Sequence, residues 1–128
     1  MTEPIWILDA IVRAIHQRQI AEHGGINGVR DEGLLASALI KPRNLYNYTT
    51  PKPTIAQMAA AYAYGLARNH AFLDGNKRTA YVTCRLFLKL NGLTLAATEA
   101  EKYLTFMKLA NGSLDEAELA EWITAHIE

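Results

Sequence analysis

Between Thr54 and Asn69 the chain concentrates small apolar residues: Ala56, Ala59, Ala60, Ala61, Ala63 and Ala67 fall within one helix-length run. Alanine is the strongest helix former and adds almost no bulk. Such a helix gains little from its own side chains, so it is stable where other elements close on it from several sides. The run predicts the central helix of a bundle. Thr54, with Gln57 three residues later, is a capping-box start: the hydroxyl and the amide satisfy free backbone groups reciprocally.

The remaining sequence supplies helices to surround it. Ile11, Val12, Ile15 and Ile20 recur at helical spacing from Leu8 to Glu22, until Gly24, Gly25 and Asn27-Gly28 stop the run. A short helix is expected from its N-cap, Asp31, to about Ile40, where Pro42 limits it. Lys41 to Pro53, rich in prolines, tyrosines and cations, reads as an irregular surface stretch, and Lys41 to Tyr48 within it as a candidate target-docking flap. A helix from about Asn76 to Leu90 follows, with Val82, Leu86 and Leu90 on its apolar stripe and a left-handed cap at Asn91-Gly92. Leu93 to Ala96 reads as a short extended piece and Trp6-Ile7 as a brief edge strand. Thr98 with Glu101, and Ser113 with Glu116, are capping boxes opening two final helices, Glu99 to Ala110 and Leu114 to Ile127. The expectation is an all-α bundle, one domain over residues 1–128, with about six helices around a central antiparallel pair.

Composition narrows the function classes. A chain of 128 residues, half of them apolar, can bury a core without disulfides or a structural metal. Thirteen Lys and Arg balance thirteen Asp and Glu, which argues against broad nucleic-acid or membrane-surface binding but leaves room for a local basic pocket. The one cysteine, Cys84, lies in an apolar helical run and reads as a small buried hydrophobe, so no disulfide framework or multi-cysteine metal site is expected. No basic-then-apolar leader and no long apolar run is evident, so the expectation is a cytoplasmic protein without a signal peptide or membrane span.

The chemistry concentrates between the two central helices, in His70-Ala71-Phe72-Leu73-Asp74-Gly75-Asn76-Lys77-Arg78. A helix starting near Asn76 leaves its first backbone amides without helical partners, and its dipole favours an anion there. Gly75 lets a phosphate approach closely. Lys77 and Arg78 oppose the dipole, which makes sense if an anion completes the site. Asp74 offers an oxygen to Mg²⁺, a metal that takes one or two carboxylates plus phosphate oxygens. His70, at the end of the preceding helix, accepts a proton near neutral pH. Base, carboxylate and phosphate cradle are the parts of phosphoryl or nucleotidyl transfer. Read from the residues alone, the alternative stays open that Asp74-Gly75 is an ordinary turn, Asn76 a cap, and Lys77 and Arg78 a solvated face.

These nine residues resemble the H-x-F-x-[DN]-[AG]-N-K-R signature of the Doc (death on curing) toxins, the small branch of the Fic fold. The similarity extends to Gly24-Gly25-x-x-Gly28, Arg30-Asp31-x-Gly33-Leu34-Leu35 and Arg43-Asn44-Leu45-Tyr46. The resemblance implies that His70 is the base that deprotonates a target hydroxyl. It implies that Asp74 binds Mg²⁺, that Gly75 and Asn76 form the anion hole, and that Arg78 holds phosphate. Arg68, two residues before His70, matches an arginine of Doc-type chains and is a candidate to reach phosphate, the alternative being a solvated cation at the helix end. Adenylylating Fic proteins have a glycine where this chain has Lys77 and a second arginine where it has Tyr81, and they need that space to seat the nucleotide. Lysine there implies the Doc mode, in which ATP binds in reverse and delivers its γ-phosphate. The resemblance further implies a toxin–antitoxin system, a threonine of elongation factor Tu as target, and an antitoxin whose disordered tail folds onto the toxin. An adenylyl transferase on the same loop is the alternative activity. A catalytically dead helical binding module is the alternative class.

Overall fold

Local capping sets where most of the helices begin. The computed structural model describes residues 3–128 and contains α1 (Asp9–His23), α2 (Glu32–Tyr48), α3 (Ile55–Arg68), α4 (Asn76–Leu90), α5 (Glu99–Asn111) and α6 (Glu116–His126). Asp31 caps α2 by accepting the Leu34 amide at 2.9 Å. Thr54 with Gln57 and Thr98 with Glu101 form the expected capping boxes of α3 and α5. Gly92 and Gly112, both with positive φ, turn the chain after α4 and α5.

α3 is the hub. It packs against α2, α4, α5 and α6, and every residue from Met58 to Ala63 is buried completely. The alanine run does what its small size allows, letting four helices approach one. α1 lies on α4. Among the described residues there are six helices and no multi-residue strand, only two isolated bridges, so the all-α expectation holds. None of these helices is long and apolar enough to cross a membrane.

Several expectations need correction. α2 does not stop before Pro42 but runs through it to Tyr48. Proline removes only one ladder bond, and the segment beyond it is held by tertiary packing: Tyr46 meets Trp6 edge-on at 5.8 Å, and Arg43 lies over the same indole at 5.4 Å. Lys41 bonds Glu116 of α6 at 2.7 Å. Lys41 to Tyr48 is therefore the second half of a helix rather than an irregular stretch. The box of α6 is Asp115 with Glu118, because the amides of Ser113 and Leu114 are taken by the Lys108 carbonyl that ends α5. The buried face of α4 is Ala80, Thr83, Cys84, Phe87 and Leu88, while Leu90 on the expected stripe is exposed. Trp6-Ile7 forms no strand; the Ile7 amide donates to the Tyr62 hydroxyl at 3.1 Å. Leu93–Ala96 is extended as expected and pairs antiparallel with the last residues, through Thr94 and Glu128.

Candidate active site

α2, α3, α5 and α6 each begin with a side chain that caps their free amides. α4 begins at Gly75, which has no side chain to give, and its first turn has no acidic residue. α1 also lacks a side-chain cap but carries Asp9 in its first turn. The start of α4 instead carries Lys77 and Arg78. The ladder opens with the Thr79 amide donating to the Gly75 carbonyl at 3.0 Å, so the amides of Asn76, Lys77 and Arg78 precede it at the positive end of the dipole. Gly75 is favoured by its φ of 73°, and a Cβ there would also press on the Ile20 Cδ1 at 3.2 Å.

The loop from His70 to Gly75 is clamped from three sides. The Asn76 carboxamide accepts the Phe72 amide at 3.1 Å and donates to the Phe72 carbonyl at 3.0 Å. Residues 28–31 run alongside: Leu73 donates to Gly28, and Arg30 and Asp31 both donate to the Ala71 carbonyl. The Arg30 guanidinium donates to the carbonyls of His70 at 2.7 Å and Asn69 at 3.1 Å. From beneath, the buried His16 ring of α1 stacks on Phe72, centroids 3.8 Å apart and planes 9° apart. His16 Nε2 is 2.8 Å from the Asp74 carbonyl. A carbonyl only accepts, so this ring nitrogen carries the proton.

His70 is the sole non-glycine residue with positive φ among those described, at 52°. The left-handed region costs a non-glycine residue about 1–2 kcal/mol, and the Arg30 bonds hold the backbone there. The Asp74 carboxylate is exposed; one oxygen accepts the Gly75 amide at 2.8 Å and the other the Ile26 amide at 3.3 Å. No group of three or more His, Cys, Asp or Glu side chains gathers among the described residues. One exposed carboxylate beside free helix amides and two cations fits Mg²⁺ held with phosphate, since that metal keeps waters and phosphate oxygens, and does not fit an all-protein metal cage.

The structure brings His70, Asp74, Gly75, Asn76, Lys77 and Arg78 onto one cavity of about 400 Å³, closed by Ala67, Leu73 and Ala110. Arg68 is not on its wall. Its guanidinium lies over the Tyr64 ring at 5.6 Å and against Gly112. The Asn76 side chain closes the loop with one N–H and its oxygen, which leaves its second N–H and its backbone amide as the donors it can offer an anion. Two residues that shape the site, His16 and Arg30, were not among the site residues expected from the sequence. His16 sits at helical spacing from Val12 on the buried face of α1, and that spacing was the available signal; Arg30 stood in a stretch that resembles the family, with no role attached to it.

Residues 6–88 match the model of the Fic/DOC family. The chain is 46% identical over 74 residues to "Toxin Doc" of Mycolicibacterium smegmatis, covering 58% of this chain and 57% of that protein. It is 34% identical over 82 residues to "Protein kinase doc" of Escherichia phage P1, covering 62% of this chain and 63% of that protein. The chain thus spans less than two thirds of the length of these relatives.

Proposed function

This chain belongs to the Fic/DOC family, and on that premise we propose that it is the toxin of a toxin–antitoxin pair, a kinase that moves the γ-phosphate of ATP to a threonine hydroxyl of elongation factor Tu and so stops translation. The observation that carries the reading is Lys77 in the first turn of α4, on the wall of the same cavity as His70, Asp74 and Arg78. Lys77 fills with charge the space that adenylyl transfer on this loop requires. A relative bearing the name of a protein kinase supports the same choice.

In this reading the γ-phosphate rests on the amides of Asn76, Lys77 and Arg78. Lys77 and Arg78 neutralise its oxygens and those of the β-phosphate. Asp74 is the residue that would hold Mg²⁺, which supplies further charge neutralisation for the phosphates when bound. His70 takes the proton of the target hydroxyl as that oxygen bonds to the γ-phosphorus. The bond from phosphorus to the bridging oxygen breaks, and ADP leaves with the electron pair. Stacking by His16 and clamping by Arg30 fix the loop before substrate arrives, so little reorganisation accompanies the reaction. The proposed partner is an antitoxin whose disordered tail folds onto the toxin, and the proposed setting is the cytoplasm.

Adenylyl transfer by the same loop is the second reading, favoured only by the shared His70, Gly75, Asn76 and Arg78. Incubation of the purified chain with Mg²⁺, elongation factor Tu and ATP labelled at either the α or the γ position separates the two. Kinase activity carries over the γ label alone. Transfer of the α label would replace this reading with the second one.

A further inference from the structure

Beside the loop cavity, across Lys77 and Arg78, lies a smaller one between α4 and α5. It holds about 190 Å³, and its wall includes Tyr81, Tyr103 and Phe106 together with Lys77 and Arg78, which the two cavities share. The aromatic wall is rigid where it needs to be. Phe106, 3% exposed, meets Tyr81 edge-on at 5.1 Å with planes at 79°. The Arg85 guanidinium covers the Tyr81 ring at 5.7 Å. Tyr103, by contrast, is 60% exposed, with Lys77 Nζ 5.3 Å from its ring centroid.

We propose that this second cavity receives the purine base of the nucleotide whose terminal phosphates rest on the start of α4. The proposal rests on the nucleotide reading above and adds the base subsite to it. A nucleoside triphosphate is a polyanion ending in a flat, apolar-faced ring system. The two adjoining cavities, which share Lys77 and Arg78 as wall, present the matching chemistry in the same order: free amides, then two cations, then aromatic rings. Tyr103 leaves a ring face to water, and stacking a base on it removes two apolar faces from solvent at once. Glu99 and Lys102, 3.3 Å apart at the rim, offer an acceptor and a donor for the polar edge of the base. The assignment also gives Tyr81 a role: it is the floor beneath the base.

The test is calorimetric titration of the wild-type chain, Tyr103→Ala and Tyr103→Phe, each with ATP and with inorganic tripolyphosphate, in Mg²⁺. Tyr103 is exposed, so neither variant is expected to disturb folding. The proposal predicts that Tyr103→Ala weakens ATP about tenfold, the usual scale of one base–aromatic stack, while Tyr103→Phe stays within about twofold of wild type. It predicts that tripolyphosphate binds all three chains alike. Equal weakening of ATP and tripolyphosphate by Tyr103→Ala would overturn it, by showing that Tyr103 acts only through Lys77. Unchanged ATP affinity would also overturn it and leave the kinase reading standing; if modification of the target fell at the same time, the aromatic cavity would belong to a target side chain. A wild-type chain that binds neither ligand would refute the nucleotide reading itself, and the base subsite with it.

Discussion

His70 and His16 serve one loop in opposite ways. His70 is exposed and held in a left-handed backbone by Arg30, whereas His16 is buried and does the holding. Glycine at position 70 would relieve about 1–2 kcal/mol of backbone strain and lose about 0.5–1 kcal/mol to the freer unfolded chain. His70→Gly is therefore expected to melt no earlier than wild type while losing activity. A clear fall in Tm would show that the ring packs in a way that matters for folding. For His16, two variants separate the stack from the hydrogen bond. His16→Phe keeps the ring on Phe72 but leaves the Asp74 carbonyl without its donor, at a cost of about 1–3 kcal/mol. His16→Gln restores an N–H donor. A loop displaced by a fraction of an ångström is expected to lower kcat by up to about 100-fold in His16→Phe, with substantial recovery in His16→Gln. Equal kcat in the two would mean that the bond to Asp74 does not position the loop.

At the scale of elements, the contact between α2 and α3 depends on Gly65. A Cβ there would meet the Ala38 Cβ at 3.1 Å and its Cα at 3.2 Å. Alanine gains about 1 kcal/mol of helix propensity, but forcing apart a packed helix pair costs about 1–3 kcal/mol. Because the neighbour is backbone, which cannot swing aside, the cost is expected to win, and Gly65→Ala should lower Tm by several degrees in a thermal melt. A raised Tm would mean that the two helices separate freely. The element scale also shows what the sequence could reveal. Thr54, Thr98 and Asp31 were legible as caps because capping is decided within four residues. The course of α2 through Pro42 was not, because it is decided by Trp6, distant in sequence, packing on Tyr46. The stripe of α4 was misread for a different reason: its core face carries Ala80, Thr83 and Cys84, small or polar side chains that a search for large apolar residues passes over. The residues of the candidate loop were legible together because a helix N-terminus gathers its chemistry in one short segment. His16 and Arg30 reach that segment only through the fold.

For the whole molecule, the core sets a pH limit. Burial pushes the Cys84 thiol from 9.0 up to about 12, since a thiolate inside the core has no water to solvate it. The folded state thus keeps its proton where the unfolded chain loses it. This contribution to stability is fully present below pH 9 and fades as pH rises toward 12, at about 1.4 kcal/mol per pH unit. Urea midpoints across that range are expected to fall less steeply for Cys84→Ala than for wild type. Tyr62, also raised by burial, titrates in both chains and cancels from the comparison. Identical slopes would mean that Cys84 is reached by water. The same closed core brings α3 and α4 together and aims their connecting loop at one cavity, which is the basis for assigning the chemistry to His70. The most direct measurement is the rate of transfer of the γ-phosphate of ATP to elongation factor Tu by wild type and by His70→Ala, side by side in Mg²⁺. A general base is worth about 100- to 10,000-fold, so the variant is expected to lose at least about 100-fold. Transfer at the wild-type rate by His70→Ala would contradict the account.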